Sequence, residues 1–477
     1  MDGRDVLKLP AVHDRDRLRH FRRHLGLAGA QHDLVEHIGG LCGIGPGAFL
    51  RQQRGGEGQG GQAGRSGQKC AADRVAWHVS PLSCREVRGW PRGWHLARSK
   101  IFLVKLSMIP CALTGTEQGR GRRATAMKDT AMTDHSPAEL RRILAEDGGR
   151  PFDLAERLGV PEAALVAARI GHGTTRIDPL PGRLIPRVQA LGEVMALTRN
   201  RSCVIEKIGT YNDFHDGEHA AMTVDPEIDL RIFPRHWVHA FAVEQEAETG
   251  TRRSIQVFDA AGDAVHKIHL REGSDLPAWE ALKRDLALPD QSDTASFEPR
   301  APVEPPRAGA ERADALRREW AAMTDTHQFN ILIRRLKMNR LGAYRIAGAP
   351  LVRPLAVEAV PALLERVHAG GVGVMFFVGN MGCIEIHSGK VHSLRPMGPW
   401  LNVMDPRFNL HLRGDHVAEV WAVDKPTKRG PAISVEAFDA EGALIFQCFG
   451  LRPEKGGNAE QWATLVADLP ALAEAAE

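Results

Sequence analysis

Val224-Asp225-Pro226-Glu227-Ile228-Asp229-Leu230-Arg231-Ile232-Phe233 lines up without a gap on Met404-Asp405-Pro406-Arg407-Phe408-Asn409-Leu410-His411-Leu412-Arg413, a shift of 180 residues (404 − 224). At the same shift Ala242-Val243-Glu244-Gln245 meets Ala422-Val423-Asp424-Lys425. Ser254-Ile255-Gln256-Val257-Phe258-Asp259-Ala260-Ala261-Gly262 likewise meets Ser434-Val435-Glu436-Ala437-Phe438-Asp439-Ala440-Glu441-Gly442. A shift held constant over three segments marks a duplicated unit. Positions at which the copies differ are where a function can be confined to one half.

The length of 477 residues allows roughly two to four domains, and the duplication makes two the natural count. Hydrophobic residues are 43% and charged residues 25%, an ordinary globular composition. A net charge of +3 gives no electrostatic case for nucleic acid or an anionic membrane as partner. No apolar run reaches the roughly 18 residues a membrane span needs. The nearest, residues 101–113, is interrupted by Lys105 and Pro110 and is internal, which argues against a signal peptide. The seven cysteines form no CxxC pair, and only Cys203, Cys383 and Cys448 fall in the duplicated part. That pattern suits a reduced, cytoplasmic protein without a disulfide framework.

Residues 1–131 differ in style from the rest. Residues 55–67 are mostly Gly, Gln and Arg, and Arg120-Gly121-Arg122-Arg123 is a second basic patch. The region reads as a disordered basic tail, or as an over-extended start with initiation at Met127 or Met132, and a short helix is possible over 14–26. A first repeat then occupies 132–287, a Pro-rich linker 288–312 and a second repeat 313–477. Ser136-Pro137-Ala138-Glu139 carries the residues of a helix start. Residues 151–158 and 161–170 continue as helices, 202–208 and 237–243 read as strands, and 278–286 closes the copy as a helix. The second copy repeats the plan, with a long helix over 313–336, strands through 374–377, 384–386, 408–412, 417–423 and 434–438, and a helix over 460–468. The expected class is α+β, each half a large antiparallel sheet with flanking helices.

On the helix expected over 313–336, Leu316, Trp320, Met323 and His327 share one face. A histidine closing an apolar stripe has two readings. One is a core imidazole satisfied by a backbone carbonyl. The other is a ligand for iron inside a flat hydrophobic molecule. Among other histidines, His215 and His219 stand four apart, but Asp216-Gly217 between them favours a turn over a helical metal pair. His266 and His269 point to opposite faces of a strand. Tyr211 and Tyr344 are the only tyrosines, which leaves little room for a tyrosinate ligand. No GxGxxG, phosphate-binding loop or Ser/His/Asp set can be assembled.

Asp325-Thr326-His327-Gln328-Phe329, the run from His392 to Val403 (His-Ser-Leu-Arg-Pro-Met-Gly-Pro-Trp-Leu-Asn-Val) and the twin Phe-Asp-Ala turns resemble the HemS/HmuS-like hemin-degrading-factor family, over roughly 136–472. The resemblance implies a bacterial cytoplasmic protein with a haem b (iron protoporphyrin IX) pocket in the C-terminal half. It implies His327 as proximal iron ligand and Arg231, from the N-terminal half, on the distal side. Arg231 would touch an oxygen ligand and act as the catalytic group if the protein is an enzyme. His411 takes the place of Arg231 in the second copy, so the copies are not equivalent. Arg340 and Lys425 resemble the family's propionate contacts, and Gln447 and Phe449 its pocket lining; relatives often carry tyrosine at Phe449. Gln328 after His327 argues against ligand switching within the motif. The implied function is haem trafficking in uptake and iron utilisation, with a haem ABC importer and a haem oxygenase or reductase as partners. Oxidative haem degradation is the alternative, and a cofactor-free duplicated β-rich scaffold the third reading.

Overall fold

The computed structural model describes residues 135–473, so the expectations for 1–131 lie outside the described residues. In the first copy the helices are α1 (Pro137–Glu146), α2 (Pro151–Leu158), α3 (Glu162–Ala167), α4 (Pro181–Gln189) and α5 (Leu276–Leu286). Its strands are β1 (Thr174–Ile177), β2 (Val194–Arg199), β3 (Cys203–Gly209), β4 (Phe214–His215), β5 (Ala221–Val224), β6 (Asp229–Ile232), β7 (His239–Ala247), β8 (Gly250–Phe258) and β9 (Ala264–Leu270). The second copy has α6 (Ala313–Ala321), α7 (Gln328–Arg335), α8 (Arg340–Ala347), α9 (Ala359–Gly370) and α10 (Ala459–Ala467). Its strands are β10 (Val352–Leu355), β11 (Val374–Gly379), β12 (Cys383–Gly389), β13 (Trp400–Asp405), β14 (Phe408–Arg413), β15 (Glu419–Thr427), β16 (Gly430–Phe438) and β17 (Leu444–Gly450). The chain is thus an α+β protein in which β2, β3, β7, β8 and β9 recur at the shift of 180 residues (203 to 383, for example) as β11, β12, β15, β16 and β17.

The sheets are not assembled copy by copy. One runs β1-β7-β8-β9-β2-β3-β14-β13 and the other β10-β15-β16-β17-β11-β12-β6-β5-β4. Each copy therefore hands a hairpin to its sister's sheet. Strand β14 pairs with β3 (Leu410 opposite Ile205), and β6 pairs with β12 (Arg231 opposite Ile384). A strand left at a sheet edge exposes a row of unpaired peptide groups, and the exchange covers both inner edges. The inner faces of the sheets, backed by α9 and α10, share a core containing Ile205, Phe376, Phe408, Leu410 and Phe446.

Two local departures from the sequence reading have simple causes. The segment 288–312 is extended but strapped down: Arg176 donates to the Thr294 carbonyl at 2.7 Å, Glu298 N to the Ala260 carbonyl at 2.8 Å, and Phe297 packs on the α3 cluster. The helix expected over 313–336 breaks between α6 and α7. The Gln328 side-chain oxygen accepts from Thr324 N at 2.8 Å and Asp325 N at 3.2 Å, while Asp325 Oδ1 accepts from His327 N at 2.8 Å. Short polar side chains that bond nearby peptide groups compete with helical bonding. Leu316, Trp320 and Met323 are buried as the stripe predicts, but His327 caps the next helix and stands half-exposed.

Candidate functional site

His327 is the N-cap residue of α7. Its Nδ1 lies 2.6 Å from Asp325 Oδ1, and its Nε2 makes no hydrogen bond among the described residues. A carboxylate on one imidazole nitrogen fixes the ring and raises the basicity of the other, the arrangement found behind metal-bound histidines. The turn holding it is anchored on the β15–β16 hairpin, where Lys428 N donates to the Thr324 carbonyl at 3.0 Å and Trp320 Nε1 to the Asp424 carbonyl at 2.9 Å.

Beneath α7 lies a buried charge cluster. Glu436 is fully buried and accepts from Arg340 Nη1 at 2.9 Å, Lys425 Nζ at 2.8 Å, Tyr344 OH at 2.8 Å and Ser434 Oγ at 2.9 Å. Arg340 also bonds Asn330 Oδ1 at 3.3 Å, and both cations lie over the Phe329 ring, at 5.6 and 5.1 Å. Although burial raises the Glu436 carboxyl, the Lys425 and Arg340 charges outweigh it and hold the group far below the ordinary carboxylate range. Burial pulls the Lys425 ammonium down to about 8 against the opposing pull of Glu436. Two cations thus share one carboxylate in a buried site, where an acid group on a ligand would find a further charge to pair with. The motif reading found Arg340 and Lys425 but missed Glu436, Tyr344, Ser434 and Asn330. The one available signal was Glu436 aligning with Gln256, just as Lys425 aligns with Gln245.

Directly opposed residues of antiparallel strands point to the same face. From Glu436 the register runs to Gln447 on β17, Phe377 on β11, Ile386 on β12 and Asp229 on β6. A parallel row runs from Ser434 to Phe449, Met375 and Ser388. A third joins Gly379, Ile384, Arg231, Met222 and His215. One sheet face therefore carries the buried cations at one end and Arg231 at the other. Phe377 and Phe449 meet edge to face at 5.3 Å, and Met222, Ile384 and Ile386 form an apolar cluster with Phe377 beside it. Gly379 keeps this floor bare: an added Cβ would lie 2.7 Å from Ile384 Cγ1. Arg231 folds back along its strand, where Nη1 bonds Asp229 Oδ1 and, at 3.0 Å, the Leu230 carbonyl.

The sister face differs at these positions. Arg199 stands where Gly379 does (199 + 180) and stacks on Phe152 at 3.5 Å from the ring centre. Lys267, in place of Gln447, pairs with buried Glu162 at 2.5 Å. His411, in place of Arg231, bonds Asn402 Oδ1 through Nδ1 at 2.8 Å. Two other histidines are bound by their own neighbours. His215 Nε2 is 3.1 Å from Asp213, while His266 is sealed between the sheets by Thr198 at 2.8 Å and Tyr211 at 2.5 Å, where burial lowers its pKa to about 3. Among the described residues no group of three or more His, Cys, Asp or Glu side chains is placed to hold a metal ion, and no helix is long and apolar enough to cross a membrane.

The family model described as the haemin-degrading HemS/ChuX domain matches twice, over residues 159–286 and 337–469. The hemin transport protein HmuS of Yersinia pestis is 37% identical over 318 residues, covering 66% of this chain and 92% of its own length. The hemin transport protein HemS of Yersinia enterocolitica is 38% identical over 319 residues, again with 66% and 92% covered. Among solved structures, holo-PhuS, a heme-binding protein from Pseudomonas aeruginosa, superposes with a TM-score of 0.67 at 41% identity, covering 71% of this chain and 100% of its own. The heme-degrading enzyme ChuS of Escherichia coli O157:H7 gives 0.64 at 32% identity, covering 69% and 97%.

Proposed function

Since the chain belongs to the haemin-degrading HemS family, we propose that it is a cytoplasmic haem-binding protein of haem uptake and iron utilisation, which takes haem through His327 and hands it on. The observation that carries this reading is His327: one ring nitrogen is held by Asp325 and the other makes no hydrogen bond among the described residues, near a buried site where two cations share one carboxylate. Those donors suit haem, whose iron takes a neutral imidazole and whose propionates take cations. When bound, the haem would supply the iron and its redox chemistry. Asp325 fixes the His327 ring and keeps Nδ1 occupied, so Nε2 is the atom presented. Arg340 and Lys425, held by Glu436, supply the cationic end. Met222, Phe377, Ile384, Ile386 and Phe449 exclude water over the apolar body, and Gln447 offers a side-chain amide among them. A haem importer and a haem oxygenase or reductase are the partners this role requires.

Haem degradation is the second reading, and Arg231 favours it. Two of its three guanidinium nitrogens, Nε and Nη2, have no partner among the described residues, and a permanently charged donor on the distal side would steady negative charge on an oxygen ligand. Hemin titration followed by ascorbate under air separates the two. A Soret band that persists and passes to a separate haem oxygenase supports trafficking, and its loss with stoichiometric iron release supports degradation. His327→Ala is expected to abolish the proximal-ligand spectrum; a spectrum matching wild type would remove His327 from the iron. Arg231→Ala is expected to keep binding and change the distal species.

A further inference from the structure

Arg231 does not stand alone on its strand. Asp229, two residues earlier and on the same face, takes its Nη1, and both side chains are largely withdrawn from solvent, at 26% and 14% exposure. The carboxylate lies in register with Ile386 and the guanidinium with Ile384, both on the apolar floor. The pair enters the second copy's sheet only because β6 is exchanged into it. In the sister copy both partners change together: Asn409 replaces Asp229 and donates to Glu206 at 3.1 Å, while His411 replaces Arg231 and turns to Asn402. Carboxylate and guanidinium thus occur as a couple on the sheet with the bare floor, and neither occurs at the matching positions of the other sheet.

Resting on the haem reading above, we infer that Asp229 is the positioning residue for Arg231. It restrains the guanidinium by holding Nη1, leaves Nε and Nη2 to face a distal ligand, and cancels most of the cationic field that a lone arginine would project. A carboxylate within hydrogen-bonding reach screens its partner far more strongly in a half-buried site than in water. Without Asp229 the distal side would carry a full, mobile positive charge.

The test is the C–O stretching frequency of the ferrous, CO-loaded holoprotein, which falls as the distal field becomes more positive. Asp229→Asn is expected to lower the frequency and broaden the band, Arg231→Ala to raise it, and Asp229→Glu to restore a narrow band near wild type. In the Arg231→Ala background roughly half or more of the Asp229→Asn shift is expected to vanish, because two side chains in contact do not act additively. Equal shifts in both backgrounds would overturn the inference, since Asp229 would then act without Arg231. Should Asp229→Asn fail to fold, Asp229→Ser runs the same cycle. Loss of the haem reading itself shows separately, as a His327→Ala protein whose spectrum is unchanged.

Discussion

Replacing Glu436 with Gln probes the cluster on which the cationic end of the site is built. Glu436 is fully buried and is the shared acceptor for Arg340, Lys425, Tyr344 and Ser434. Glutamine keeps the shape, but it retains one acceptor and turns a donor group toward two cations. Removing one member of a buried ion pair costs about 3–5 kcal/mol, because the remaining charge has neither water nor partner. Lys425 has a way out, since its pKa is already down to about 8 and falls further once Glu436 is neutral. In the unfolded chain it titrates near 10.5. A base with a lowered folded-state pKa gains stability as pH rises from its folded value to its unfolded one. The variant enters that window at lower pH than wild type does. Its deficit is therefore widest near pH 6, narrows toward pH 8, and is constant above. Urea unfolding of the apo protein, followed by tryptophan fluorescence at several pH values, reads this as a lower midpoint at an unchanged slope. A loss under about 1 kcal/mol at pH 6, or a deficit independent of pH, would refute the account of two cations balanced on one carboxylate.

Asp325→Ala is expected to weaken hemin binding about 10- to 100-fold by freeing the His327 ring, with equal affinity in a Soret titration counting against the orienting role. Burial lowers the pKa values of His266 and His387 to about 3, and of His236 and His269 to about 4. The unfolded chain takes these protons near 6.5 and the folded chain does not, so stability should fall steadily from pH 6.5 toward pH 4; a flat urea midpoint over that range contradicts it. Glu385 is fully buried, and burial outweighs the neighbouring Thr198 hydroxyl and Lys207 ammonium and lifts its pKa to about 8. Its folded form holds a proton that the unfolded chain has lost, so it withdraws stability as pH rises from about 4.5 to about 8. Glu385→Gln does not titrate, and its stability relative to wild type should climb across that window by several kcal/mol, read as a diverging pair of midpoint curves.

Local chemistry was legible along the chain. Ser136 caps α1 and accepts from Glu139 N at 3.3 Å, as its Ser-Pro-x-Glu start requires. The glycine turns at Gly262 and Gly442 link β8 to β9 and β16 to β17, with positive φ angles of 79° and 90°. His327 could be named from its motif, Arg231 and Lys425 from the resemblance together with a difference between the copies, and Arg340 from the resemblance alone. The helix break before His327 was less visible, since Leu316, Trp320 and Met323 keep helical spacing up to the point where Asp325 and Gln328 bond the peptide groups instead.

By itself the sequence determined that the chain is a doubled α+β unit and that its copies diverge at the positions bearing charge and imidazole. Tertiary structure decided which strands lie side by side. Alternating burial in β6 is the same whether the hairpin completes its own sheet or its sister's, because period-two patterning records a strand's faces and not its neighbours. Only the exchange sets Arg231 and Asp229 on the floor that also carries Gln447 and Phe449, and only the folding of α7 and α8 over β15 and β16 gathers two cations onto Glu436. Both depend on contacts between residues far apart in the chain, which periodicity and local propensity do not encode.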